Sequence, residues 1–160
     1  RARAAALAAA ICGVLLLEYW VAPLRLAPYP NRAPQLYAWL ARQPRGVVAE
    51  LPAPVTDRLP GDDPRRIYMS TFHWMPTVNG YSGHYPASYL NRIERLRSFP
   101  SERATAALRA DAVRYVIVHA SAYTPDRAGE VLTQLTLDPA YERLGSFGDG
   151  QGTAVVYRIR

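Results

Sequence analysis

The chain has 160 residues, of which 49% are hydrophobic and 20% are charged. These values fit one globular domain with a sizeable core and an apolar tail. The formal net charge is +6 and Lys does not occur, but the arginines are mixed with Asp and Glu and no nucleic-acid-binding motif accompanies them, so we expect no nucleic acid partner. The single cysteine, Cys12, excludes an intrachain disulfide.

An uncharged apolar stretch occupies residues 4–17, and the aromatic pair Tyr19 and Trp20 follows closely. A membrane-spanning helix needs about 20 residues, which this stretch reaches when it is extended through the two rings. Arginines before the stretch and aromatic residues after it are typical of a helix whose N-terminus is cytoplasmic. We therefore expect residues 1–22 to form a transmembrane helix, with the remainder on the extracytoplasmic side of the cell membrane.

The first residue, Arg1, is not Met, as expected if this helix is the last of a longer protein. A signal peptide is the alternative, with Arg1 and Arg3 as its charged region. It is less favoured, because the bulky residues 15–20 stand where a cleavage site needs small residues. A last transmembrane helix and a signal anchor both remain open interpretations at this point.

Four prolines interrupt the chain after the apolar stretch and prevent a helix there: Pro23, Pro28, Pro30 and Pro34. They predict an extended connector at residues 23–34. Residues 35–160 then form the predicted extracytoplasmic domain.

Two short runs rich in β-branched residues, 46–51 and 114–119, predict buried parallel strands. Glycines at 148–152 join two further strands, 141–147 and 153–159, into an antiparallel hairpin. Helical patterns fill the intervening segments: residues 34–43, 64–74, 86–99, 101–110 and 124–138. The prediction is an α/β domain, with a small mixed sheet of two parallel strands plus a C-terminal antiparallel hairpin, flanked by helices.

No motif for catalysis or cofactor binding is present. A nucleophile elbow and a phosphate-binding glycine loop are both missing from the sequence. His73, His84 and His119 are too widely spaced to suggest a zinc site. We therefore expect no cofactor and no metal, and the sequence identifies no catalytic residue.

Two acidic positions allow more than one interpretation. Glu50 and His119 end the two predicted parallel strands, so their side chains are expected to meet if the strands are adjacent, either as an acid–base pair or as a buried ion pair. Asp62 and Asp63 precede Pro64. A helix N-cap explains this pair better than a metal site does.

Aromatic rings are concentrated at residues 68–85, which we call the aromatic loop. It contains the candidate binding residues for a sugar or a lipid head group: His73, Trp74, Asn79, Tyr81 and Tyr85. Its rings offer stacking surfaces and its polar side chains offer hydrogen bonds. The alternative is that the loop only covers the open edge of the sheet.

Three segments, TFHWMPTVNGYSGHYPASY, LRSFPS and ALRADAVRYVIVH, together resemble the soluble C-terminal domain of bacterial multi-pass, glycosyltransferase-like membrane proteins of the GT-C superfamily type. The resemblance extends from Tyr19 to Tyr157. Its most distinctive part is His73 followed by Pro76 and an Asn-Gly-Tyr turn. Where those proteins usually have glycine before the V-R-Y-V strand, in a left-handed helix end, this chain has Ala112, which implies a strain of about 1 kcal/mol.

The resemblance implies an accessory extracytoplasmic domain of a membrane protein that uses lipid-linked sugar donors. In such enzymes the catalytic acid lies near the first membrane helices, outside this chain, so no catalytic residue is carried over. The implied partners are the lipid bilayer, the remaining transmembrane portion of the same protein and a lipid-linked sugar or glycan acceptor. The alternative is a stand-alone, membrane-anchored binding module without catalysis.

Overall fold

The computed structural model describes residues 1–20 and 29–160. It begins with helix α1 (Ala2–Glu18), which buries none of its side chains. The transmembrane helix predicted at residues 1–22 is not supported: α1 has 17 residues, and no helix in the described part of the chain is long and apolar enough to cross a membrane. The first part of the predicted connector, residues 23–28, lies outside the described residues.

The domain is mixed α/β, as predicted, with its helices and strands in the predicted order. They are α2 (Gln35–Leu40), β1 (Val47–Leu51), α3 (Asp63–Ser70), α4 (Ala87–Leu96), α5 (Glu102–Ala110), β2 (Val113–His119), α6 (Pro125–Leu137), β3 (Tyr141–Gly148) and β4 (Thr153–Ile159). Helix α3 is shorter than the predicted 64–74, because the chain turns after Ser70 and Trp74 takes a left-handed φ of 53°.

The four strands form one mixed sheet in the order β1-β2-β4-β3. Strands β1 and β2 are parallel, and β4 is antiparallel to both β2 and β3. The predicted parallel pair and closing hairpin are therefore confirmed. This topology brings the carboxyl ends of β1 and β2 and the β3–β4 turn to the same end of the sheet.

Alternating side chains of the strands supply two separate cores, one on each face of the sheet. On one face Val116 and Val118 of β2 pack with α5 and α6 through Leu108 and Leu135. On the other face Ile117 packs with residues of α2 and α3. Glu50 alternates with Ala49 and Leu51, so it points to the α2–α3 face.

Residues 76–78 cover the open edge of β1. Val48 donates its backbone N–H to the carbonyl of Pro76 and accepts one from Val78, in a short parallel bridge. The middle of the aromatic loop thus satisfies backbone groups that an edge strand leaves unpaired. This agrees with the structural alternative for that part of the loop.

The left-handed residue predicted before β2 is confirmed. Ala112 has a φ of 52° and follows Asp111, the C-cap of α5. A residue with a Cβ atom is strained in this conformation, which glycine adopts freely.

Candidate functional site

The predicted meeting of Glu50 and His119 is confirmed. Glu50 Oε2 lies 2.8 Å from His119 Nε2, because the parallel register places residue 50 beside Ile117 and brings both strand ends together. Glu50 is 1% exposed and His119 is 8% exposed. The pair is therefore shielded from bulk water. In such a buried environment ionic contacts are stronger than at a surface.

The other side of the imidazole is occupied by Asp149, whose role the sequence analysis missed. Its Oδ2 lies 2.6 Å from His119 Nδ1. The second oxygen accepts the backbone N–H groups of Gln151, at 2.8 Å, and Gly152, at 2.7 Å. The glycines of this turn predicted the hairpin, but they predicted no role for the Asp149 side chain. Its position at the carboxyl end of β2 is the signal that would have linked Asp149 to His119.

We call Glu50, His119 and Asp149 the carboxylate–histidine cluster. An imidazole that faces a carboxylate oxygen with each of its two nitrogens donates from both when it is protonated. Burial alone would lower the pKa of His119, but the hydrogen bonds to Asp149 and Glu50 outweigh it and raise the pKa. Burial acts in the opposite sense on Asp149, yet its hydrogen bonds to His119 and to the Gln151 backbone hold its pKa well below the usual value.

Tyr37 of α2 completes the surroundings of Glu50. Its hydroxyl donates to Glu50 Oε2 at 2.9 Å, and burial together with the Glu50 carboxylate raises the pKa of this phenol. The other oxygen, Glu50 Oε1, is buried without a hydrogen-bond partner among the described residues. One lone carboxylate oxygen in an otherwise satisfied cluster is costly for the fold.

A second buried group, the Asp63 cluster, consists of Asp63, Arg66 and Asn79. The Asp63 carboxylate accepts hydrogen bonds from Arg66 at 3.3 Å, from Asn79 at 3.0 Å and from the hydroxyl of Tyr89. Asp63 is fully buried, and Asp62, the N-cap of α3, makes no side-chain capping bond. The N-cap interpretation is therefore right about where α3 begins and wrong about the side chains. Asp63 accepts hydrogen bonds from the aromatic loop, and neither aspartate side chain caps the helix.

Both clusters meet at the backbone of Glu50. Asn79 accepts its N–H at 2.8 Å and donates to its carbonyl at 3.0 Å, and Arg66 Nη1 donates to the same carbonyl at 3.0 Å and to that of Pro52 at 2.7 Å. Buried side chains thus replace the ladder hydrogen bonds that an edge strand lacks. These contacts hold the backbone of Glu50 in place, while Tyr37 and His119 contact its carboxylate.

A cavity of about 260 Å³ lies beside the carboxylate–histidine cluster. Its walls include Tyr37, His119 and Asp149, together with Asp62, Arg65 and Arg66. It lies at the carboxyl ends of β1 and β2, where open α/β sheets commonly bind ligands. Among the described residues no group of three or more His, Cys, Asp or Glu side chains is arranged to hold a metal ion.

The predicted binding residues of the aromatic loop do not form one site. His73 and Asn79 are buried, at 6% and 9% exposure. His73 stacks on Tyr37, its Nδ1 accepts the Met75 N–H, and burial lowers its pKa. Both side chains therefore face this domain instead of a sugar or lipid head group at its surface.

Trp74, Tyr81 and Tyr85 have different surroundings. Trp74 is 72% exposed and Tyr81 is 59% exposed, and Tyr85 is half-buried and stacked on Tyr89, with ring centroids 5.5 Å apart. Tyr81, Tyr85 and Asn79 line a shallow groove of about 290 Å³. Trp74 and His73 are not part of that groove.

Comparison of the chain with protein family models, with curated proteins and with solved structures finds no match.

Proposed function

We propose that the chain is an accessory extracytoplasmic domain of a polytopic, glycosyltransferase-like membrane protein that uses lipid-linked sugar donors, with the catalytic residues outside this chain. The observation that carries the accessory role is the occupation of both ring nitrogens of His119 by carboxylates. A general base must offer a free nitrogen to the proton that it removes. His119, which most resembles a catalytic base among the described residues, therefore has no free nitrogen to accept a proton.

Nucleophilic catalysis is disfavoured by the same geometry. Ser121 lines the cavity next to His119 and would be the nearby hydroxyl. In a Ser-His-Asp arrangement one imidazole nitrogen faces the carboxylate and the other faces the nucleophile. Here Glu50 occupies the second nitrogen, so Ser121 has no base to activate it.

The membrane part of the proposal is supported by the resemblance and by the surface of α1. Leu7, Ile11, Val14 and Leu16 of this helix are each more than half exposed. A surface with this much exposed apolar area is expected to be covered by lipid or by another part of the protein. The alternative function, a stand-alone membrane-anchored binding module, is favoured by the same helix together with the cavity.

The coding sequence upstream of Arg1 distinguishes these two functions. Several further hydrophobic segments in frame are expected for the accessory domain, whereas a start codon close to Arg1 would leave the stand-alone module.

The non-catalytic role has its own test. The purified chain is expected to show no hydrolysis of esters, peptides or glycosides. An activity that both Glu50→Gln and His119→Ala abolish, while Ser82→Ala retains it, would contradict this expectation.

A further inference from the structure

The cavity beside the carboxylate–histidine cluster has a charge balance that restricts its ligand. Glu50 and Asp149 face the two nitrogens of His119 at 2.8 and 2.6 Å, so a protonated ring between the two carboxylates leaves one negative charge over. Arg66 is paired with Asp63 at 3.3 Å. The cluster therefore repels an added anion, and a ligand cannot gain from the imidazolium because both of its N–H groups are already used.

The arginines of the cavity do not favour an ion of either sign. Arg66 lies 3.3 Å from Asp63 and 4.0 Å from Asp62, so its charge is compensated. Arg65 also lines the cavity and balances the one negative charge that the carboxylate–histidine cluster leaves over. Because the charged groups nearly cancel, a neutral ligand fits the cavity better than an ion.

The polar groups that remain for a ligand are both donors and acceptors. Ser121 and Gln151 line the cavity and are exposed. Their hydroxyl and amide groups can donate and accept, the Asp62 carboxylate only accepts and the Arg65 guanidinium only donates. Neighbouring hydroxyl groups of a ligand satisfy such a set, because each hydroxyl donates to one group and accepts from another.

The cavity size limits the ligand to a single ring. Its volume of about 260 Å³ is just below the range of roughly 300–1,000 Å³ found for pockets that hold drug-sized ligands. The unpartnered, buried Glu50 Oε1 is a second sign that this end of the sheet is not optimised for stability alone. We propose that the cavity binds a neutral, hydroxyl-rich ligand of the size of one sugar ring.

The test is a titration of the 15N-labelled 160-residue chain, in a detergent without a sugar head group, with glucose, galactose, mannose and N-acetylglucosamine. Binding is expected in the millimolar range for at least one sugar, with amide shift changes at residues 121, 122 and 151. Gln151→Ala and Ser121→Ala should each weaken it several-fold. Ser88→Ala, an exposed serine outside this cavity, is the matched control and should leave it unchanged.

Three results would overturn the inference: no shift change with any of the sugars up to their solubility limits, changes only in the groove formed by Tyr81 and Tyr85, or tighter binding of inorganic phosphate or glycine at the same residues. The inference rests on the proposed function only in giving the domain a recognition role. The inference and the proposed function can fail separately. An absence of upstream membrane segments would contradict the proposed function but not sugar binding, and an absence of sugar binding would contradict only the inference.

Discussion

Asn79 is expected to contribute strongly to stability, because it carries the contact between the aromatic loop and β1. Its side chain makes three hydrogen bonds with buried partners, two with the backbone of Glu50 and one with Asp63. Asn79→Ala removes all three. The Glu50 carbonyl still accepts from Arg66, but the Glu50 N–H loses the side-chain oxygen to which it donates.

The magnitude follows from these contacts. A buried donor left without a partner costs about 1–3 kcal/mol, and each lost hydrogen bond to a charged group costs about 1.5–3 kcal/mol. Since part of this is recovered by water entering near the half-buried Gly80, we expect Asn79→Ala to lower the free energy of unfolding by about 3 kcal/mol. Asn79→Asp should cost more, because it places a second carboxylate against Asp63.

Urea unfolding followed by fluorescence measures this loss. With a slope of about 1.5–2 kcal/mol per molar urea, the midpoint of Asn79→Ala should fall by roughly 1.5–2 M. Tyr81→Ala is the matched control, because Tyr81 lies in the same loop with its ring exposed, and surface changes stay within about 0.5 kcal/mol. A loss below about 1 kcal/mol for Asn79→Ala, or an equal loss for both variants, would refute the reasoning.

Three further predictions concern strain, charge and packing. Ala112→Gly should raise the free energy of unfolding by about 0.5–1 kcal/mol, because relief of the left-handed strain, about 1–2 kcal/mol, exceeds the entropy that glycine adds to the unfolded chain; an unchanged or lower urea midpoint would contradict it. The raised pKa of His119 makes its contribution complete below the unfolded value near 6.5 and progressively lost as the pH rises through the folded value. Unfolding measured from pH 6 upward should therefore show a decline that Glu50→Gln reduces, and identical pH profiles would exclude this coupling. Leu135→Ala should cost about 2–5 kcal/mol because the side chain is fully buried, whereas Leu137→Ala on the same helix, 77% exposed, should leave the thermal midpoint nearly unchanged; equal losses would mean that α6 packs differently.

The elements of the domain could be predicted because their signals are local. The β-branched run before His119, the cap at Ser101 and the glycines after Phe147 each act within a few residues. Ser101 accepts the N–H of Ala104 at 3.2 Å, as a capping side chain should. The left-handed position of Ala112, by contrast, was implied only by the resemblance to the glycosyltransferase-like domains.

The candidate site was only half predictable. Glu50 and His119 were expected to meet because both end parallel strands, and strand ends follow from the element order. Asp149 and Tyr37 reach the same point from the β3–β4 turn and from α2, and no local pattern contains that information. Asp63 was misinterpreted for the same reason, since its position before Pro64 suggests a cap whatever its side chain contacts.

The sequence by itself thus determined the element order and the parallel pair with its closing hairpin, because hydrophobic period and turn chemistry are properties of neighbouring residues. Only the tertiary structure decided that His119 is held between two carboxylates and that His73 and Asn79 face inward. Those outcomes depend on contacts between residues far apart in the chain, such as the 69 positions that separate Glu50 from His119. The side chains that a fold brings together over such distances are determined by packing, which no stretch of the sequence encodes alone.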